Sequence, residues 1–283
     1  MNMFNKSKLS VLLVSAAMCL SAGSFATDLV LEDEPMFLSG YDNPNIIFTL
    51  DDSGSMQWEV MPDDILRFYY LFPIPDHFNN EVYGPANYDD NMPDWNDNNP
   101  YNFFYRSSFN NKIFYDPAQT YDPWKYADGS SFPQADPAAA FYNPYDTSVG
   151  SINLLTNAQT FQNVDFIRDN DGDTNFDGTV SNDVDNESFW PITYYVYNSG
   201  DVMLRSSYVR FQVRADAGGT PVTFDSGTTA TLKLYVNDAE VSGLSADAIK
   251  DNVQNFANWF TYYRSRILLT RAAASFGFSA LPQ

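Results

Sequence analysis

The order of apolar and polar positions divides the chain into an early apolar run, a long irregular middle, a region of alternation and a terminal helix. Residues 46–50 are an unbroken β-branched and aromatic run, which is typical of a strand buried on both faces, as in a parallel sheet. Alternating apolar and polar residues predict a small antiparallel sheet within 189–242. Its strands are predicted at 192–197, 208–214 and 229–236, with turns at Gly200, Gly218-Gly219 and Gly227.

The last segment, 243–283, has the three- and four-residue apolar spacing of a helix. Apolar residues recur from Val253 to Phe278, Ser245 or Asp251 is suited to cap the start, and Pro282 ends the pattern. We therefore predict one long helix. Two of its arginines, Arg264 and Arg271, are expected to share a face that is either solvated or paired with the acidic middle of the chain.

The middle of the chain, 57–188, is rich in tyrosine, phenylalanine, asparagine, aspartate and proline. Prolines recur too often for a long helix to form, which predicts a loop-dominated region. Disordered segments are poor in aromatic residues, so aromatics at this density favour a packed loop region. Core packing is the default expectation for the Tyr and Trp clusters, and a recognition surface is the alternative.

The first 26 residues have the features of a secretory signal peptide. Lys6 and Lys8 precede a short apolar core, and Ser24-Phe25-Ala26 is a small-x-small cleavage site. A transmembrane anchor is the alternative, but the core is interrupted by serines and is shorter than a span requires. The single cysteine, Cys19, lies inside this segment, so the exported chain is expected to have no disulfide.

The net charge of the chain restricts the classes of partner that it can bind. The chain has 36 acidic and 15 basic residues, a net charge of -21 at pH 7. Such a chain repels nucleic acid and anionic membrane surfaces and attracts divalent cations. We expect no nucleic-acid partner, and no transmembrane segment after signal cleavage.

The sharpest chemical feature follows the first apolar run, at Asp51, Ser53 and Ser55. One carboxylate and two hydroxyls on alternate residues present hard oxygen atoms to one point, which suits Mg²⁺, Ca²⁺ or Mn²⁺. Gly54 permits the tight backbone turn that brings both serines to one side. The sequence therefore predicts a divalent-metal site after the strand.

A second acidic cluster lies in the middle region and resembles half of a calcium-binding loop. Its alternating oxygen side chains end at Gly178, but Val184 occupies the position where a closing acid is expected. A calcium site and a solvated acidic loop therefore both remain open. The candidate ligands are Asp169, Asp171, Asp173, Asn175, Asp177, Asp183 and Asp185.

No catalytic arrangement stands out, and we predict that the chain is not an enzyme. His77, the single histidine, lies in the aromatic middle region, and no G-x-S-x-G motif is present. The paired acids Asp63-Asp64 and Asp89-Asp90 are adjacent in sequence and would point apart.

The residues Asp51, Ser53 and Ser55 match the D-x-S-x-S metal-ion-dependent adhesion site (MIDAS) of von Willebrand A domains. The resemblance implies a Rossmann-like α/β fold in which the two serines bind the metal directly and the aspartate binds through water. It also implies a threonine and an aspartate ligand from later loops of the domain.

Two further segments, 114–124 and 255–266, resemble the tyrosine-rich stretch and the "NFANWYSYYRTR" helix of PilY-type pilus proteins. This resemblance implies a partial von Willebrand A domain: first strand and metal motif at 27–56, a loop-rich insertion at 57–188, a β region at 189–242 and the first domain helix at 243–283. The remaining strands and the family's C-terminal β-propeller are expected to be absent. A fragment, a truncated reading frame and a variant that relies on a partner all fit.

The family resemblance implies an exported factor for type IV pilus biogenesis and tip-associated adhesion. Its expected partners are minor pilins and a host or surface ligand, its expected location is the periplasm, the outer cell surface or the pilus tip, and its expected cofactor is Mg²⁺ or Ca²⁺. A secreted metal-dependent hydrolase and a non-functional truncated product are the alternatives. The hydrolase needs a water-activating base, and no histidine is near the metal motif in the sequence.

Overall fold

The computed structural model of the chain describes residues 47–61, 70–72, 93, 95, 97, 99–159 and 188–281. The predicted signal peptide, the acidic loop with its candidate calcium ligands and His77 lie outside these residues. The chain divides after Leu50 into two units, and the elements described below belong to the second, Asp51–Gln283. Among the described helices, none has the length and apolar character that a bilayer crossing requires.

The described residues form three α-helices and eight strands. The helices are α1 (Pro100–Tyr105), α2 (Ala246–Tyr262) and α3 (Arg266–Ser279). The strands are β1 (Ala140–Phe141), β2 (Ser151–Ile152), β3 (Ala158–Gln159), β4 (Ser188–Phe189), β5 (Thr193–Tyr197), β6 (Tyr208–Thr223), β7 (Thr229–Val236) and β8 (Ala239–Glu240).

The antiparallel sheet predicted from alternation is confirmed. Strands β5, β6, β7 and β8 are neighbours in that order, and each pair is antiparallel. Helix α2 packs against β6 and β7, and the aromatic ring of Phe256 on α2 lies 6.5 Å from that of Tyr194 on β5. The alternation arises because one face of this sheet is covered by the helix. Two short ribbons, β1 with β2 and β3 with β4, complete the described strands.

The predicted turn at Gly218-Gly219 is wrong, because β6 continues through it. The register between β6 and β7 shifts between Ala215 and Thr220, which marks a bulge. A Cβ atom at Gly219 would lie 2.4 Å from the Leu232 carbonyl oxygen. Glycine is required here because the two backbones approach closely, and not because the chain reverses.

The prediction of one continuous terminal helix is also wrong. Helix α2 begins at Ala246 with the predicted Ser245 as its cap, whose hydroxyl accepts from the Ala248 N–H at 3.1 Å. The helix stops at Tyr262, and α3 begins at Arg266 after Ser265, which caps the new helix. Two helices separated by residues 263–265 replace the single helix face expected for Arg264 and Arg271.

Helix α1 is short and is fixed by a buried arginine. Arg106 is fully buried directly after the helix and donates to the carbonyl oxygens of Leu71 at 2.9 Å and Pro93 at 3.1 Å. Its guanidinium lies 3.5 Å from the ring centroid of Trp95. The Arg106 carbonyl accepts from the Tyr195 N–H at 2.9 Å, which joins α1 to β5.

Aromatic side chains dominate the core, as expected for the middle region where it is described. Trp259 and Phe256 of α2 meet Phe114 and Tyr115, with ring centroids 4.8 to 5.9 Å apart across the two segments. Phe260 of α2 makes an edge contact with Phe72 at 5.0 Å. Aromatic pairs in these tilted and edge arrangements add specific attraction to the burial of apolar area. The largest fully buried side chains are Trp259, Arg106, Tyr70, Tyr105, Tyr115, Tyr195, Phe72, Phe103, Phe114 and Phe256.

The predicted buried strand at 46–50 differs from the structure where it is described. Residues 47–50 form no strand, and Ile47 and Phe48 are exposed by 91% and 52%. All strand pairs among the described residues are antiparallel. A run buried on both faces needs neighbouring strands, and no described strand pairs with these residues. The described part is thus a mixed α and antiparallel β structure, and the Rossmann-like sheet stays a prediction.

Candidate functional site

The predicted metal motif forms one loop, which we call the motif loop (residues 51–57), with residues 51–53 exposed and 54–57 half-buried. Its last four residues, Gly54–Gln57, form a 3₁₀ turn. The Asp51 carboxylate accepts from the Ser53 backbone N–H at 2.9 Å, and the Ser53 and Ser55 hydroxyl oxygens lie 3.3 Å apart. The structure therefore brings together the three side chains that the sequence singled out.

Electrostatics keep the Asp51 carboxylate charged. The hydrogen bonds from the Ser53 backbone and side chain hold its pKa below the usual value, against a small opposing effect of desolvation. One carboxylate and two hydroxyls are hard oxygen donors of the kind that Mg²⁺ and Ca²⁺ prefer. Three side chains are too few to fill the six positions of an octahedral shell, so a metal bound here would need water or a partner group as well. No group of three or more acidic, histidine or cysteine side chains within the described residues is placed to hold a metal.

The carboxyl end of the motif loop is fastened to helix α3. The Arg266 N–H donates to the Trp58 carbonyl at 3.1 Å, and the Arg266 guanidinium donates to the Val60 carbonyl at 3.0 and 2.9 Å. That guanidinium also lies 5.0 Å from the ring of Trp58. The chain therefore leaves the motif loop beside the point where α3 begins.

A buried ion pair lies at the same contact between the residues after the motif loop and the start of α3. Glu59 and Arg264 are 2% and 6% exposed, and Glu59 Oε1 lies 2.7 Å from Arg264 Nε. The other carboxylate oxygen, Oε2, accepts from the backbone N–H groups of Leu71 at 2.7 Å and Phe72 at 3.1 Å. Of the two alternatives left open for Arg264, a solvated face or pairing with the acidic middle region, the structure shows the pairing. Sequence reasoning missed Glu59 as the partner, because nothing local marks a single glutamate as buried.

The two segments that resemble PilY-type proteins fold against each other. We call 114–124 the aromatic loop, and residues 255–262 of the second segment lie on α2. Asn255 accepts from the Tyr121 N–H at 2.8 Å across a separation of 134 residues. The indole N–H of Trp124 donates to the Tyr262 carbonyl at 2.9 Å. The Tyr263 hydroxyl donates to the Asp122 carbonyl at 2.6 Å.

Asparagine side chains on α2 form several hydrogen bonds with backbone groups of the facing loops. Asn255 donates to the Gln119 carbonyl at 2.7 Å, and Asn258 donates to the Tyr121 carbonyl at 2.9 Å. Asn258 Oδ1 also accepts from the Ala135 N–H at 3.1 Å. These amides satisfy backbone groups that a loop cannot pair internally. Asn255 and Asn258 are visible in the sequence as polar residues three apart on the predicted helix. The helix prediction used only the apolar positions and therefore missed their role.

The chain is similar to three curated proteins, each named type IV pilus biogenesis factor PilY1 and each from Pseudomonas aeruginosa. It is 22% identical to the protein of strain PAK over 293 residues, which cover 100% of this chain and 19% of that protein. For strain UCBPP-PA14 the identity is 27% over 265 residues, covering 91% and 16%. For strain PAO1 it is 24% over 290 residues, covering 100% and 18%.

The chain thus spans less than a fifth of the length of these curated relatives. No family model matches it, and no solved structure matches it. The similarity shows relatedness to PilY1 proteins over nearly all of this chain.

Proposed function

We propose that this chain, which is related to the PilY1 type IV pilus biogenesis factors, serves type IV pilus biogenesis and adhesion through a divalent metal at the motif loop. The observation that carries the proposal is the similarity to PilY1 proteins over 91% or more of the chain. The geometry of the motif loop supports the metal part, since its three oxygen side chains are exposed or half-buried and adjoin one another. The proposed role is binding and not catalysis.

In the proposed site Ser53 and Ser55 bind Mg²⁺ or Ca²⁺ directly, and Asp51 contributes through water. Asp51 already accepts from the Ser53 backbone, so its second oxygen is the one available for a water ligand. These side chains leave coordination positions of the metal open, so an acidic group on a partner can bind there and complete the coordination. The strong preference of these ions for oxygen ligands makes a carboxylate the natural partner group.

The proposed partners are other pilus components, such as minor pilins, and a ligand on a host or other surface. The proposed location is outside the inner membrane: the periplasm, the outer cell surface or the pilus tip. The acidic cluster from Asp169 to Asp185 is proposed as a second, calcium-binding site. It lies outside the described residues and stands on its sequence pattern alone.

The test is isothermal titration of Ca²⁺ and of Mg²⁺ into the purified chain and into a variant with Asp51→Ala and Ser53→Ala. A matched control changes Asp128→Ala and Ser130→Ala, because Ser130 donates to exposed Asp128 through both its N–H at 2.9 Å and its hydroxyl at 2.6 Å. We expect the first variant to bind Mg²⁺ at least about tenfold more weakly, a difference of about 1.4 kcal/mol. The control is expected to match the parent.

A third variant, Asp173→Ala with Asp177→Ala, separates the two proposed sites. Binding that is lost only in this variant would overturn the motif-loop site while leaving the calcium loop. Binding that is equal in the parent and the Asp51 variant would also reject the metal-dependent part. The pilus role is tested in the source organism by deleting the gene and counting surface pili, and unchanged piliation would contradict it.

A further inference from the structure

An open cleft with a volume of about 540 Å³ lies between the aromatic loop and helix α2. This volume is within the range of small-ligand sites, about 300–1,000 Å³. The loop side consists mainly of residues 117–122, with Gln134 beside them, and the helix side is formed by residues from Asp251 to Asn258. The cleft therefore lies along the junction of the two segments that resemble PilY-type proteins, away from the side chains of the motif loop.

The lining is polar and lacks positive charge. The described side chains that line the cleft include amides, a threonine hydroxyl, two tyrosine rings and the exposed carboxylates of Asp122 and Asp251. None of them is a lysine, an arginine or a histidine. An anionic ligand would meet two carboxylates with no cation to offset them, so the lining disfavours an anion.

Two lining residues have side-chain atoms without hydrogen-bond partners. Gln254 is 9% exposed, and its Oε1 is buried and accepts no hydrogen bond. Its Nε2 donates to the Ala135 carbonyl at 2.8 Å, which can only accept, so the orientation of the amide is fixed. Asn252 Oδ1 is likewise buried and without a partner, while its Nδ2 donates to the Tyr194 hydroxyl at 3.1 Å. Both oxygens have almost no accessible surface, so the acceptors that a ligand in the cleft can reach are the exposed carboxylates of Asp122 and Asp251.

The opposite wall is already held in place. Tyr121 is half-buried, its hydroxyl accepts from the Asp116 N–H at 3.0 Å, and its backbone N–H donates to Asn255. Asn255 also donates to the Gln119 carbonyl at 2.7 Å. A ligand therefore meets a wall whose groups need little further ordering, which lowers the entropy cost of binding.

From these observations we propose that the cleft binds a neutral saccharide. Each sugar hydroxyl donates and accepts, so neighbouring hydroxyls can donate to the exposed carboxylates of Asp122 and Asp251 while accepting from the exposed side chains of Gln119 and Thr120. The C–H face of a sugar ring is apolar and suits contact with the partly exposed ring of Tyr121. This binding site is independent of the metal at the motif loop and of the proposed pilus role.

The experiment uses saturation-transfer NMR on the purified chain with glucose, galactose, mannose, N-acetylglucosamine and lactose as probes. N-acetylneuraminic acid is the anionic comparator. We expect transfer to at least one neutral sugar, and none to the acid. Asp251→Ala and Asn252→Leu are each expected to reduce that transfer at least fivefold.

Two matched variants guard against indirect effects. Asp247→Ala removes a carboxylate from the same helix one turn earlier, outside the cleft, and Tyr194→Phe removes the hydroxyl that Asn252 contacts without changing the cleft lining. Both are expected to keep the parental transfer. The proposal is overturned if no neutral sugar binds, if N-acetylneuraminic acid binds as well as the neutral sugars, or if the cleft variants behave like the two controls. If the Asp51 variant loses metal binding but keeps sugar binding, the saccharide proposal still holds.

Discussion

Replacing the buried arginine by methionine, Arg264→Met, should destabilise the fold strongly and in a pH-dependent way. The change removes the 2.7 Å ion pair with Glu59 and also the donors to the carbonyls of Phe260 at 2.9 Å and Tyr142 at 2.8 Å. The Arg264 guanidinium lies 5.0 Å from the ring of Tyr142 and 4.5 Å from that of Phe260. Methionine fills a similar volume beside these rings, so the loss is mainly electrostatic. The variant leaves a carboxylate that is 2% exposed without its cation.

The expected loss in the free energy of unfolding follows from the Glu59 carboxylate, which stays buried without its partner. Breaking a buried ion pair by removing one partner lowers the free energy of unfolding by about 3–5 kcal/mol. For a chain of this size that corresponds to a fall in melting temperature of roughly 6–20 °C. Burial raises the pKa of Glu59, and Arg264 is the strongest influence opposing that rise. The pKa of Glu59 should therefore rise further in the variant.

This shift fixes the sign of the pH dependence. A carboxyl group whose pKa is raised by folding favours the folded state below its unfolded pKa, near 4.3, and that contribution is lost as the pH rises through the folded pKa. The difference between Arg264→Met and the parent should therefore be largest near pH 7 and shrink toward about pH 5. Adding Glu59→Gln should recover part of the loss at pH 7, because the amide oxygen still accepts from Leu71 or Phe72.

The assay is urea unfolding followed by tryptophan fluorescence between pH 5 and pH 8. Arg214→Met is the control, since Arg214 pairs at 2.8 Å with Asp238, whose side chain is 65% exposed. Exposed pairs contribute about 0–1 kcal/mol, so this control should change little at any pH. A cost below about 1 kcal/mol for Arg264→Met, or a cost that does not vary with pH, would refute the reasoning.

Two further predictions concern the backbone and the tyrosines. Gly219→Ala should cost about 1–3 kcal/mol, because its Cβ atom would lie 2.4 Å from the Leu232 carbonyl oxygen. Gly227→Ala should cost only about 1 kcal/mol, since its φ of +88° is strained for alanine but the space is open; equal losses in urea unfolding would contradict this. Burial raises the pKa of Tyr121 and Tyr263 to about 12, so their share of stability should be lost as the pH rises from about 10 through 12. Absorbance titration at alkaline pH should show a late tyrosine phase in the folded chain, and a single phase near pH 10 would be evidence against it.

Features that depend on neighbouring residues were predictable from the sequence. Alternation located β7 and the first part of β6, and β-branched and aromatic residues located β5. The Asp51, Ser53 and Ser55 side chains meet because their spacing and Gly54 determine a local turn.

Features that depend on distant partners were not predictable. The helical pattern from Val253 to Phe278 has no local break, yet the helix ends at Tyr262 and restarts at Arg266. The guanidinium of Arg264 instead meets Glu59, which lies 205 residues earlier in the chain. The apolar periodicity reflects burial on both sides of the break, but it contains no information about the break itself. The cleft was missed for the same reason, since its two walls come from segments that meet only in the folded chain.

The contacts between the aromatic loop and α2 determine how much of the relatives' biology can be transferred to this chain. The quoted resemblance lies largely in residues that hold the loop on the helix, such as Trp124, Asn258 and Trp259, all of which are buried. Residues in such positions specify a fold, because their hydrogen bonds satisfy backbone groups on the partner segment. The exposed Asp251 lies on the same helix but lines the cleft, and it forms none of these hydrogen bonds. Relatives at 22–27% identity can therefore share the scaffold and differ in ligand, so the ligand must be determined on this chain itself.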